Sequence, residues 1–461
     1  MNISSVSVVG LFGLFNHKIN LRTKERITIL HGPNGVGKTT ILRMLKALCS
    51  FEFNNLAKFD FSKFTVGFKD GRELSIHKTP KKGQNPHELK FLLGAKGQPG
   101  EVIHTYRKLI DDGLDERKLR QMLGVQIGSI EDIIPELDQV GARAWRVIPT
   151  GETIDLEEVI NKYSERLPLR SNSFLRQSAP DALRLLLKEN KVYLIETQRL
   201  IAQVEKAETP QAIGRWSPNS IHFSRPLMPS AEGSAVEEIS RDLARRIAEA
   251  LQLSGRIATK LDAQFAYKLI TGSVSEIGES EIREKYARYK MFNNSLAQAG
   301  VFESQYIHDL PTKVLESGDK RALSLYLHDV EEKLRPFGDL LNKVLLFVSL
   351  INGRFKHKTL RIEKDKGLRF ISSRDDVIDG ASLSSGEQHE LILMYTLLFR
   401  VPSASLICID EPEISLHVTW QQKFLDDLKS MSETADLDFV IATHSPSIIN
   451  GRLDLTVELD S

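Results

Sequence analysis

The sequence predicts an α/β fold with a P-loop, assembled from both ends of the chain around a helical middle. Three observations predict it. Residues His31 to Thr40 read HGPNGVGKTT, where Gly32, four further residues and Gly37-Lys38-Thr39 make the P-loop pattern. Residues Leu406 to Glu411 read LICIDE, an apolar run that ends in two carboxylates. Between these, from about Ser234, apolar residues recur at helical spacing.

Taken in order, the apolar start Val6 to Phe15 is broken by Gly10 and Gly13 and lacks a basic leader, so it reads as an edge strand and not a signal peptide. Ile27 to Leu30 reads as a buried strand, and Thr40 to Leu45 as an amphipathic helix, which is the context a P-loop requires. Glycines let the loop backbone turn its N–H groups toward one phosphate, with Gly32, Asn34, Gly35, Gly37 and Thr40 lining it. The helix N-terminus adds partial positive charge. Lys38 is placed to reach the terminal phosphates, and Thr39 offers a hydroxyl to Mg²⁺. The pattern implies binding of a nucleoside triphosphate. Phe12 and Phe15 are candidates for an aromatic face on the base, although core packing is the more ordinary use for both.

Phe64, Val66 and Phe68 alternate, Asp70-Gly71 marks a turn, and Leu74 and Ile76 alternate back, as in a hairpin. The polar stretch Lys78 to Gly100 reads as a loop or boundary. A short strand is expected at Trp145 to Ile148, and Thr153 as the cap of a helix carrying Leu156, Val159 and Ile160. Residues 101–190 suggest no role. Val192 to Arg199 reads as a strand running into a polar turn that contains Gln198. Val236, Ile239, Leu243, Ile247 and Leu251 then recur at spacings of three or four, with Glu and Arg between them. Further helices carry Tyr286, Tyr289 and Phe292, and then Leu323, Leu327, Val330 and Leu334 before Pro336. Both a simple helical domain and a short antiparallel coiled-coil arm fit this region. Strands resume at Thr359 to Ile362 and Leu368 to Ile371. Leu383-Ser384-Ser385-Gly386-Glu387-Gln388 follows, then the apolar helical run Leu391 to Phe399. After the acidic strand come Ser415-Leu416-His417 and a strand, Phe439 to Ala442, that runs into Thr443-His444. The expected segments are 1–100 with the P-loop, 101–233 mixed α/β, 234–345 helical, and 346–461 carrying the second set of motifs.

Composition narrows the class. Hydrophobic residues make up 41% and charged residues 27% of the 461, both ordinary for a globular chain. The formal net charge of +1 shows no broad basic footprint for nucleic acid. Cys49 and Cys408 are too few for a disulfide framework or a zinc site. The apolar run Val344 to Ile351 is far shorter than a membrane span, so a cytoplasmic location without a membrane partner is expected.

The four motifs, in this order, resemble the ABC-type ATPase head shared by the SMC, RecF and OLD families, over roughly residues 1–90 and 355–455. The resemblance implies an ABC-type P-loop head, with a mixed sheet and flanking helices, formed from both chain ends around an inserted helical or short coiled-coil arm. It implies ATP and Mg²⁺ as ligands, slow ATP hydrolysis, and these site residues. Asp410 holds Mg²⁺ with Thr39, and Glu411 polarises the attacking water. Ser384, Ser385 and Gly386 form the signature that presses on the γ-phosphate of a second head. Ser415 to His417 crosses that dimer interface, His444 senses the γ-phosphate, and Gln198 touches Mg²⁺ and the attacking water. An ordinary surface glutamine remains an alternative for Gln198. Ser385 and Glu387 depart from the transporter form of the signature, which favours the soluble branch.

OLD-type proteins usually carry a Toprim nuclease after the ATPase, and no such segment follows His444, so any nuclease is expected on a separate polypeptide. A compact head of this kind resembles the ATPase subunits of two-gene anti-phage systems, PARIS first and Septu next. That likeness implies a homo-oligomeric scaffold that holds a Toprim-type nuclease effector until a phage-encoded trigger protein releases it. The competing reading is a RecF-like DNA repair clamp, which needs a basic surface. Near-zero net charge argues against it; Arg241, Arg245 and Arg246 are the candidates for a local patch.

Overall fold

The computed structural model describes residues 2–79, 88–98, 100–107, 130, 134, 137–141, 144–147, 153–155, 159, 179–196, 235–272, 275–302, 307–414, 416 and 418–459. Contacts divide the chain into two units. The first comprises Met1–Gln203, Gly214–Met228 and Pro402–Ser461, and the second Val204–Ile213 and Pro229–Val401.

The first unit holds an antiparallel sheet and a parallel one. Strands β1 (Ile3–Leu11) and β2 (Phe15–Asn20) form a hairpin closed by the Gly13 N–H donating to the Gly10 carbonyl at 3.0 Å. With β4 (Lys63–Phe68), β5 (Arg72–Lys78), β6 (Glu88–Ala95) and β7 (Glu101–Arg107), they make a six-stranded sheet in the order β2-β1-β4-β5-β6-β7. Two expectations are corrected here. β1 is an inner strand, paired on both sides by β2 and β4; Gly10 lies within it, where the register with β2 shifts, and Gly13 lies in the turn that follows. The stretch Lys78 to Gly100, expected as a loop, contains β6, whose Leu89 and Phe91 point into the core. Its apolar alternation is short, and the flanking Lys, Gly and Pro mask it in composition.

A three-stranded sheet, β8 (Leu137–Gly141), β9 (Ala144–Val147) and β10 (Thr153–Asp155), places Trp145 on a fully buried position of β9, where a strand was expected. Thr153 opens β10, opposite Arg146, and so is not the cap; of the helix expected after it, Val159 is helical and buried, and Leu156 and Ile160 lie outside the described residues. Consecutive β-branched residues, Thr153 and Ile154, fit a pleated strand better than a helix start.

The parallel sheet has the order β11-β15-β16-β3-β17 and draws on widely separated stretches of the chain. Its strands are β3 (Ile27–His31), β11 (Val192–Glu196), β15 (Ser405–Asp410), β16 (Leu437–Ala442) and β17 (Thr456–Glu458). Every residue of β15 and β16 is buried, which explains why both read as nearly unbroken apolar runs. Helix α1 (Lys38–Cys49) buries Ile41, Leu42, Met44, Leu45 and Leu48. These join one apolar cluster with Val6, Val8, Phe64, Val66 and Phe91 of the antiparallel sheet and with Leu406, Cys408, Val440 and Ala442 of the parallel sheet. Cys408 is thus a core side chain, and burial pushes its thiol pKa well above the ordinary value.

In the second unit, the 37-residue helix Ala235–Thr271 buries Val236, Ile239, Leu243 and Ile247 near its start. Its far end carries Tyr267 and Ile270 exposed to solvent. Helices Glu279–Gln298, Ser317–Leu334 and Gly338–Asn352 follow, then the sheet β12 (Lys358–Glu363), β13 (Gly367–Ser372) and β14 (Val377–Ile378). The helix Ser385–Tyr395 widens into a π turn over Thr396–Arg400. Arg354 and Glu390 form an ion pair that is almost wholly buried. Among the described residues, no helix is long and apolar enough to cross a membrane.

Gly300 has φ +72°, and a Cβ there would lie 1.9 Å from the Ile362 carbonyl oxygen. Gly300→Ala therefore meets both backbone strain and an immovable atom, and is expected to cost about 2–4 kcal/mol. Gly255 lies within Ala235–Thr271 with nothing within 4 Å of such an atom. Gly255→Ala is expected to add about 0.5–1 kcal/mol. Urea unfolding midpoints of the two variants should move in opposite directions.

Candidate functional site

Register in the parallel sheet brings the site together. Glu196 pairs with Asp410, Asp410 with Ala442, and Ala442 with Leu30, so four strands end in one row. Side chains and loops just beyond that row lie at the carboxyl ends of the strands, the usual place for a ligand in an open α/β sheet.

The P-loop leaves β3 at His31 and enters α1 at Lys38. At Gly32, φ is +153° and a Cβ would lie 2.5 Å from the Leu459 carbonyl oxygen. At Gly37, φ is +97° and a Cβ would lie 2.3 Å from Leu11 Cδ2. Neither position accepts a side chain, so the loop lies tight against Leu11 of β1 and Leu459, just after β17. Asn34 and Gly35 form its exposed tip, and Thr40 is half-buried in the first turn of α1. His17 on β2 braces the loop from below, its Nε2 2.8 Å from the Val36 carbonyl oxygen. Phe15 stacks on His17 at 5.8 Å, and Phe12 lies edge-on to Phe15 at 6.5 Å.

Lys38 is 6% exposed, and its Nζ donates to the carbonyls of Gly32 at 2.9 Å and Pro33 at 2.8 Å. Burial lowers its pKa, while Glu411, Asp410 and Glu413 pull it upward. Thr39 Oγ1 donates to Asp410 Oδ1 at 2.9 Å. This bond joins the start of α1 to the end of β15. Burial raises the Asp410 pKa, with Glu411 adding to the rise and the Thr39 hydrogen bond and Arg43 opposing it. Arg43 itself pairs with Glu196 at 2.6 Å. The Thr39 hydroxyl and Asp410 carboxylate are hard oxygen donors beside a buried ammonium, a set that fits a Mg²⁺–triphosphate. Bound there, Mg²⁺ would neutralise phosphate charge. Thr39 and Asp410 would hold it, and Lys38 would bind the phosphates.

Glu411 adopts φ +49°, unusual for a residue with a side chain. Its N–H donates to the Ala442 carbonyl at 2.9 Å, which anchors the turn. His444 follows β16, and burial, then Lys38, lower its pKa, so the imidazole is neutral at pH 7.

Glu413, which sequence reasoning passed over, accepts from the Thr443 hydroxyl at 2.8 Å and from the His444 N–H at 2.9 Å. A carboxylate three residues after Asp410 was the available signal, hidden beside the more conspicuous pair. Ser384, Ser385 and Gly386 belong to the second unit, where Ser384 caps the helix Ser385–Tyr395. Glu387 Oε2 accepts from the Ser384 N–H at 2.8 Å and its hydroxyl at 2.9 Å, and Lys358 pairs with the same carboxylate at 2.7 Å. Gln198, Ser415 and His417 lie outside the described residues.

Two family profiles match the chain. One, described as "AAA domain", covers residues 9–250. The other, described as "AAA domain, putative AbiEii toxin, Type IV TA system", covers residues 207–450. The chain belongs to the AAA-domain family. No curated protein matches it. Solved structures similar to this AAA-domain chain include the Smc head domain of Pyrococcus furiosus, with an extended coiled coil and bound to the C-terminal domain of ScpA, at 11% identity and TM-score 0.33. That match covers 97% of this chain and 91% of the other. The SMC head domain of Thermotoga maritima matches at 11% identity and TM-score 0.31, over 97% and 91% of the two chains.

A buried carboxylate that serves a ligand costs stability when the ligand is absent. A pKa raised on folding contributes stability only below the unfolded pKa, and at neutral pH that contribution is gone. Asp410→Asn keeps the acceptor for Thr39 and removes the charge. Its nucleotide-free melting temperature at pH 7 is expected to exceed that of the unsubstituted AAA-domain protein, with the gap closing as pH falls. Differential scanning calorimetry reads this, and Mg²⁺-dependent ATP turnover of the same variant is expected to vanish.

Proposed function

We propose that this AAA-domain protein is an ATP-hydrolysing switch whose ATP-bound heads associate. The observation that carries the reading is the Thr39–Asp410 hydrogen bond, which joins the P-loop helix to an acidic strand end with Glu411 next in line. In this reading Lys38 and the loop N–H groups bind the triphosphate, and Thr39 and Asp410 hold Mg²⁺, with Gln198 as a third contact. Glu411 orients and polarises the attacking water. His444, neutral at pH 7, offers a hydrogen bond at the γ-phosphate. Ser384, Ser385 and Gly386 of a second copy close over the same phosphate, so that ATP joins two heads and hydrolysis parts them. Segment by segment, 1–100 and 346–461 supply the head together with β11 from 101–233, and 234–345 an arm.

The finer role follows from the company such a switch keeps. The description of the profile matching residues 207–450 names a type IV TA system, and a toxin–antitoxin pair is a two-component arrangement. That supports work beside a separate protein. We place the chain in a two-component anti-phage system of the PARIS kind, as a scaffold holding a Toprim-type nuclease that a phage-encoded trigger releases. The chain itself is expected to show no nuclease activity.

Two variants test the switch. Lys38→Ala is expected to lower ATP turnover by more than about 100-fold, since it removes the charge that binds the phosphates. Glu411→Gln is expected to retain ATP binding, lose hydrolysis and raise the ATP-dependent light-scattering mass to at least that of a dimer. Full turnover in the first variant would overturn the ATPase reading, and an unchanged mass in the second would overturn head association. Mass spectrometry of what co-purifies with Glu411→Gln in ATP tests the partner. A stoichiometric Toprim-type protein supports the defence role, and nucleic acid alone, lost as salt rises, contradicts it.

A further inference from the structure

Two stretches of chain that flank the site are tied together by side chains to which the proposed reaction gives no part. The turn after β15 runs from Pro412 toward Leu416, and the loop after β16 runs from Thr443 to Ser445. Glu413 clasps the loop backbone, as described above. Gln421, only 8% exposed, reaches both stretches at once. Its Nε2 donates to the carbonyls of Leu416 at 3.1 Å and Glu413 at 3.3 Å, and its Oε1 accepts from the Ser445 hydroxyl at 2.9 Å. Ser445 is itself fixed, its N–H donating to Thr443 Oγ1 at 2.9 Å while its hydroxyl caps the helix Pro446–Ile449.

The stereochemistry calls for a carboxamide. A planar group with two donors and an acceptor matches two carbonyls on one side and a donating hydroxyl on the other. In a buried setting such a set of bonds is sharply oriented, because a carbonyl left without its donor is costly. A shift of the Glu413–Leu416 turn would therefore drag the carboxamide, Ser445, and with it the backbone of His444.

We infer that Gln421 is a positioning residue for ATP hydrolysis, coupling the placement of Glu413 and Leu416 to that of the His444 loop. The inference rests on the proposed function, in which His444 meets the γ-phosphate, and on the expectation that Ser415 to His417, next to Leu416, crosses the interface between heads. Contact between heads is then transmitted to the imidazole through one side chain. The residue touches no substrate. It acts by setting where His444 stands, so its loss falls on the chemical step and spares nucleotide binding.

The test uses the full chain. Gln421→Leu keeps the volume and removes every hydrogen bond. It is expected to lower kcat about 10- to 100-fold while KM for ATP stays within about twofold, the split that misplacement of a catalytic group produces. Gln421→Glu supplies a readout that packing alone would not move. Protonated, its carboxyl donates to one carbonyl and accepts from Ser445; ionised, it faces two carbonyl oxygens. Burial keeps such a carboxyl protonated to higher pH than usual. The ratio of its kcat to that of the unsubstituted chain is therefore expected to rise as pH falls, while the far-ultraviolet circular dichroism stays constant.

Unchanged kcat in Gln421→Leu would overturn the inference. So would parallel loss of kcat, ATP affinity and melting temperature without acid rescue in Gln421→Glu, which marks a packing role. Should Gln421→Leu not fold, the pH ratio of Gln421→Glu alone decides. Failure of the underlying reading looks different: full turnover by Lys38→Ala removes the ATPase itself, whatever Gln421 does.

Discussion

The hydrogen bond from Thr39 to Asp410 depends on the register of the parallel sheet, and most of the first unit exists to supply that register. Thr39 stands 371 positions before Asp410, so nothing local holds the pair together. What holds them is the stacking of β15, β16 and β3 with their carboxyl ends level, buried on both faces and fixed from above by α1. With both faces buried, apolar character alone does not choose the register; a one-residue slip is resisted because it would set every side chain against the differently shaped packing of the opposite face. The site inherits its geometry from the core and needs little rigidity of its own.

That arrangement carries an electrostatic load. Asp410, Glu411, Glu413 and Lys38 interact at the carboxyl end of the parallel sheet, with burial raising the pKa of Asp410 and lowering that of Lys38. Both shifts disfavour the charged forms that bind a Mg²⁺–triphosphate. Ligand binding would relieve them, since a divalent cation faces the carboxylate and phosphate faces the ammonium. The strained backbone at Glu411 belongs to the same account. A side chain at φ +49° persists because its N–H is anchored to β16, and functional sites are where such strain collects.

Legibility from sequence followed local chemistry. The P-loop was readable because its glycines answer backbone demands that no other residue meets, and β15 and β16 because burial on both faces leaves only apolar choices. β6 was not, since an antiparallel strand with one polar face and polar flanks has no such signature. The inner position of β1 was equally hidden, because partners arriving from residues 15–20 and 63–68 leave no trace in its own alternation. Glu413 and Gln421 were invisible for a third reason. Their partners are mostly backbone groups, which every residue carries, so pairing leaves no mark on the sequence of the partner.

The signature segment shows how a departure in sequence becomes a physical constraint. Glu387 places a carboxylate in the first turn of a helix whose N-terminus, in the proposed assembly, meets a triphosphate. Standing alone it would repel that ligand. In the structure it is engaged three ways, by the Ser384 N–H, the Ser384 hydroxyl and Lys358. The capping box spends the carboxylate on the helix's own first turn, and Lys358 offsets its charge. Burial works to raise the Glu387 pKa, yet these partners together hold it below the ordinary value, so the group stays ionised and the pairing persists at neutral pH. The same bonds occupy the Ser384 hydroxyl. For that hydroxyl to face a phosphate it must exchange one acceptor for another, which makes nucleotide capture by the second head a competition with an existing hydrogen bond. A signature with glutamine in place of Glu387 would hold that hydroxyl less firmly, because a neutral amide oxygen is a weaker acceptor than a carboxylate.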